Sequence, residues 1–136
     1  MLYQMNFDRL LTYDAGVPAI SLEVMLKLSD VSIAIPAKLD TVAANSIFAR
    51  HYGEQRGLPI DRGYRQWSST ATGNFMAYGH NLTLHIAGIE FGATVFFAAD
   101  EAFNRNVIGR YGGLDHLRVG LVDYEGKLYL SRYGEE

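Results

Sequence analysis

Apolar residues recur at every second position through much of the chain. Ile20, Leu22, Val24, Leu26 and Leu28 alternate with Ser21, Glu23, Met25 and Lys27. Successive side chains of a strand point to opposite faces, so this period predicts a strand with one buried face. Ser29-Asp30 supplies a two-residue turn, and Val31, Ile33, Ile35, Ala37 and Leu39 resume the alternation up to Asp40. Pro36 has no N–H to give to a ladder, which predicts a sheet edge or a bulge there. The segment from Gly63 to Gly79, rich in β-branched, aromatic and small residues, predicts a hairpin turning near Thr72-Gly73-Asn74. Leu82, Leu84 and Ile86, then Ile89, Phe91, Ala93, Val95 and Phe97, predict a second hairpin about Gly88. Asn106 to Arg110 reads as a short apolar strand ending in Gly-Arg. Arg118 to Tyr124 and Leu128 to Leu130 predict a last hairpin about Glu125-Gly126.

One stretch breaks the period. Between Asn45 and Arg56, Asn45 or Ser46 can cap a helix by accepting a bond from a free N–H. Phe48 and Tyr52, four apart, would share a helical face. Gly57, Leu58 and Pro59 read as the stop, and Gly53 weakens the helix from inside. Gly113 to Leu117 predicts a single further helical turn. Many short strands at close spacing predict a mainly β fold, a small barrel or sandwich with one or two short helices. Residues 1–136 read as one domain, with 20–132 as its core and 1–19 as an N-terminal strand or arm.

Composition narrows the chemistry. A chain of 136 residues, 49% apolar and 20% charged, can bury a substantial core. The net charge of −3 argues against a nucleic-acid partner, which would call for clustered Lys and Arg. With no cysteine there is no disulfide, thiol nucleophile or Cys-based metal site. His51, His80, His85 and His116 lack the spacing of a metal motif, so neither a metal nor a cofactor is expected. His80 and His85, an odd number apart, would face opposite sides of one strand. Gly109 to Gly113 is Gly-rich but lacks the Gly-Lys-Ser/Thr of a phosphate loop. Thr41 and Ser46 have no adjacent base to make either a nucleophile, and Ser46 reads better as a helix start. Trp67 reads first as a core residue, with lining of the flap or of a dimer surface as the alternative. The N-terminus lacks the basic start and apolar core of a signal peptide, and no apolar run approaches the ~20 residues that span a bilayer. The expectation is a soluble cytoplasmic protein with no membrane partner.

Asp40 carries the strongest chemical signal. It ends an apolar strand and leads into Thr41, Val42, Ala43 and Ala44. A rigid strand that delivers a carboxylate into a turn of small residues can hold a reactive group in the open. The plainer reading is an Asp that bonds its own turn. The chain has one such element, so chemistry needing two carboxylates requires a second copy.

Ala37-Lys-Leu-Asp-Thr-Val-Ala-Ala-Asn-Ser-Ile-Phe48, followed later by Asn106-Val-Ile-Gly-Arg110, resembles the retropepsin-like aspartic peptidases, the family of the retroviral proteases and their single-domain bacterial relatives. The resemblance implies a small closed acid-protease-like β-barrel with a flap hairpin, and a homodimer acting on a peptide or protein. It implies no cofactor. Asp40 matches the catalytic aspartate, and Thr41 the threonine that braces the two catalytic turns. Val42, Ala43 and, in the flap, Thr72 and Gly73 fall at substrate-binding positions. Ile108 and Gly109 match the strand packed under the turn, and Arg110 the structural arginine. Two positions depart from the pattern. Val42 replaces a glycine, where a backbone takes unusual angles or a ligand comes close. Ala44 replaces the acidic partner of the arginine, for which Asp115 or Asn45 is a substitute. Two close carboxylates share one proton and titrate as a unit: one activates water and the other protonates the carbonyl oxygen. Val42 also motivates an alternative, a catalytically impaired protein that keeps the fold for peptide binding or scaffolding. A third is a small β-barrel binding domain in which Asp40 only shapes its turn.

Overall fold

The alternating segments form strands where the apolar period places them. A computed structural model describes residues 1–70 and 73–134. The strands are β1 (Arg9–Thr12), β2 (Ser21–Leu28), β3 (Val31–Leu39), β4 (Ile47–Phe48), β5 (Tyr64–Thr70), β6 (Gly73–Ile86), β7 (Ile89–Ala98), β8 (Val107–Ile108), β9 (Leu117–Val122) and β10 (Lys127–Arg132). In β2, Leu22, Val24, Leu26 and Leu28 are buried. Burial of each such side chain contributes about 1.5–3 kcal/mol. Pro36 faces Glu23 of β2, while β8 meets β3 only at Lys38 and Leu39. Pro36 therefore lies on an open edge, as its missing N–H requires.

The larger sheet runs β2-β3-β8-β4-β7-β6-β5, and a further pairing of β2 with β6 bends it into a ring. Strand β6 makes this possible by its length. Gly73 to Gly79 pairs with β5, Thr83 to Ile86 pairs with β2, and β7 runs along the other side from Ala77. The β5–β6 hairpin extends from the ring. A second sheet, β1-β10-β9, gives the N-terminal segment its place as a strand. Val24, Leu26, Ile35, Phe48, Leu84, Ile86, Phe97 and Ile108 fill the main core, joined by Leu117, Leu128 and Leu130 of the small sheet. A second cluster gathers Ala43, Ile47, Ala77, Phe96, Ala98, Phe103 and Val107, with Phe75 against it. No helix of the described residues is long and apolar enough to cross a membrane.

Several expectations change. The helix expected from Asn45 to Arg56 shrinks to α1, His51–Glu54. Ile47 and Phe48 instead form β4, parallel to Phe96 and Phe97 of β7, with Ile47 also opposite Val107 of β8. A β-branched and an aromatic residue buried between two ladder partners outweigh local helix capping. The helix stop is a Schellman motif: Leu58 N–H donates to Gly53 O at 3.1 Å and Gly57 N–H to Glu54 O at 3.0 Å, with Gly57 at φ +81°. Gly53 packs closely, since a Cβ there would lie 2.7 Å from Ile60 Cδ1 and 3.2 Å from Leu58 Cδ2 and Phe97 Cε1. The helical turn expected at Gly113 to Leu117 is a 3-10 turn, Leu114–His116. The first hairpin closes from Thr70 to Gly73, and Thr72 of its expected turn lies outside the described residues. Trp67 is not a core residue. It is 67% exposed, because the strand period turns its neighbour Ser68 inward.

Candidate active site

The turn after β3 is held from below by β8. Strand β8 runs parallel to β3 and antiparallel to β4, so it lies between the strand entering the turn and the strand leaving it. Asp40 N–H donates to Ile108 O at 3.0 Å. Arg110 N–H donates to Ala43 O at 2.9 Å, Tyr111 N–H to Ala44 O at 2.8 Å, and Ser46 N–H to Tyr111 O at 3.1 Å. The turn is thus laced to the segment after β8 along its length. Asp40 Oδ1 accepts the N–H groups of Val42 at 2.8 Å and Ala43 at 3.2 Å. The turn-forming reading of Asp40 therefore holds at this oxygen, and the same bonds fix the carboxylate's orientation.

Thr41 is exposed, and Ala43 is buried in the second core cluster. Val42 is 66% exposed and does not take positive φ, so the backbone here accommodates a branched residue without strain. What remains of the departure from glycine is side-chain bulk at the surface beside Asp40.

Ile108 and Gly109 lie beneath the turn. Gly109 is required by contact rather than by angle. A Cβ on it would run into the carbonyl oxygen of Asn45 and come within 2.9 Å of Ala43 O. Ser46 has a different role from the expected helix cap. It is fully buried, its Oγ donating to Gly112 O at 3.0 Å and accepting Gly109 N–H at 3.2 Å. It joins the two site segments in a way no local motif announces. Ser46→Ala leaves that N–H and carbonyl unsatisfied and is expected to cost about 1–3 kcal/mol in denaturant unfolding. Wild-type stability in that variant would detach Ser46 from the site's support. Asn106 was likewise not legible. Its side chain accepts Ala49 N–H at 3.0 Å and donates to Pro36 O at 3.3 Å, pinning β3 to the segment after β4.

The substitutes for the missing acidic partner do not reach Arg110. Asp115 Oδ1 instead accepts the N–H groups of Gly112 and Gly113 at 3.1 and 3.2 Å, closing the loop that follows β8. Asn45 forms a backbone bridge with Tyr111. The Arg110 guanidinium is exposed, lies 6.0 Å from the centre of the Tyr111 ring, and makes no ion pair among the described residues. Phe75 of the hairpin meets Phe103, in the loop between β7 and β8, edge-on at 4.4 Å and packs against the cluster that holds Ala43, so hairpin and turn share one support. Gly73 begins β6 at φ +136°. Thr41 lines a hollow of about 310 Å³ with Arg110, Tyr111, Leu114 and Asp115. No protein-family model matches the chain, and no curated protein matches it.

Proposed function

We propose that the protein is an aspartic endopeptidase of retropepsin type, whose dyad is formed by Asp40 from each of two copies. One observation carries the reading: the Asp40 turn is built around β8, with the carboxylate held by Val42 and Ala43 N–H above Ile108 and Gly109. A two-fold interface sets identical patches face to face and so brings Asp40 to its counterpart. One carboxylate of the pair takes a proton from water as that water attacks the peptide carbonyl. The other, protonated, donates to the carbonyl oxygen. The exposed Thr41 braces one turn against the other, and the β5–β6 hairpin covers the bound peptide and excludes water.

The exposed Val42 side chain favours a second reading, in which the same dimer binds peptide without cleaving it. A peptide-library digest from acidic to neutral pH separates the two. Cleavage by wild type supports the peptidase. Silent wild type with an active Val42→Gly variant means a sound dyad obstructed by that side chain. Silence in both, in a protein shown to be dimeric, rules out the peptidase.

A further inference from the structure

A large hollow lies beside the turn. It has a volume of about 740 Å³, and its walls include Asn45, Arg62, Tyr64, Tyr111, Asp115 and His116. Its floor is cut from small residues of β6, β7 and the following loop: Gly79, Ala93, Thr94 and Gly112. Gly79 and Gly112 are fixed in that role, since a Cβ would lie 2.8 Å from Phe96 and 2.6 Å from Thr94 O respectively. Tyr111 and Asp115 also line the smaller hollow next to Thr41. The two hollows therefore share a wall and lead from the catalytic turn toward the root of the flap hairpin.

Their charge is one-sided. Arg62 in the large hollow and Arg110 in the small one are exposed and make no ion pair among the described residues. Among the described residues, the one carboxylate in either lining is Asp115, and its Oδ1 already accepts two backbone N–H groups and lies 3.7 Å from His116. His80 contributes a further ring to the large hollow, with Nε2 2.9 Å from Ile60 O. The aromatic faces of Tyr64, 67% exposed, and Tyr111, 59% exposed, stand beside these cations. Unpaired guanidiniums and open tyrosine rings over a floor of small residues suit an extended chain carrying carboxylates.

We infer that this pair of hollows is a docking groove for an acidic stretch of the polypeptide substrate, away from the bond to be cut. The inference rests on the peptide-directed reading of the protein, but not on catalysis. Arg62 and Arg110 pair with Glu or Asp side chains, and Tyr64 and Tyr111 flank the backbone.

The test uses full-length Asp40→Asn protein, which binds without turnover, and a short fluorescent peptide rich in glutamate. Anisotropy should show this peptide binding about tenfold or more tightly than its glutamine counterpart. Affinity should fall with salt. Arg62→Gln should lower it about fivefold to tenfold, with partial recovery in Arg62→Lys, and Tyr111→Ala should lower it further. Equal binding of both peptides, binding unaffected by Arg62→Gln, or no binding overturns the groove. A failed groove leaves wild-type cleavage of neutral peptides intact, whereas a failed peptidase leaves acidic-peptide binding intact, so the two ideas fail separately.

Discussion

Asp40→Asn is expected to abolish peptide cleavage while leaving the fold in place. An amide oxygen still accepts the Val42 and Ala43 N–H groups, so the turn keeps its shape. An amide cannot take a proton from water or hold the shared proton of a dyad. Loss of that proton transfer lowers turnover by about a thousandfold or more. Stability should change by no more than about 0.5–1 kcal/mol, because the carbonyl oxygen that the turn uses is retained. Cleavage by the variant at the wild-type rate would return Asp40 to the role of a turn residue.

Gly109→Ala carries the largest expected structural effect. The added methyl meets main-chain atoms of Asn45 and Ala43, which no rotamer change can move aside. Gly109 does not take positive φ, so the cost comes from this contact alone. The backbone of the turn must lift from β8, which weakens the bond from Arg110 N–H to Ala43 O. A loss of about 3 kcal/mol follows from overpacking of this kind, lowering the melting temperature by roughly 10 °C. Cleavage should fall with it, because the displaced turn carries Asp40. A Gly109→Ala protein that melts with the wild type would mean that the turn does not rest on this strand. Ser46→Ala tests the same junction from its other side, through hydrogen bonding instead of volume.

The strands were legible because burial on one face writes itself into alternate positions. β2 and β3 keep Leu22, Val24, Leu26, Ile35 and Ala37 inside, as the period predicts. Which strands close the ring was not legible, because the pairing of β2 with β6 joins segments far apart in sequence and leaves no local mark. Ile47-Phe48 misled for a related reason. Two residues are too few to show a period, and their strand exists only because β7 and β8 flank it. Asp40 and Gly109 stood out because each is an unusual residue at the end of an apolar run. The roles that Ser46, Asn106 and Asp115 play were not legible, since their partners lie in other segments or in the loop backbone. The large groove was hidden for the same reason: Arg62, Tyr64, Thr94 and Tyr111 meet only in the folded chain.

The sharing of one active site by two copies is tested most directly by subunit mixing. Wild-type chains are equilibrated with increasing proportions of Asp40→Asn chains, and cleavage is measured at constant total protein. A dyad drawn from both protomers loses function in every mixed pair, so activity should fall as the square of the wild-type fraction. Activity that falls only in proportion to that fraction would mean that each chain is complete by itself, and would contradict the shared dyad.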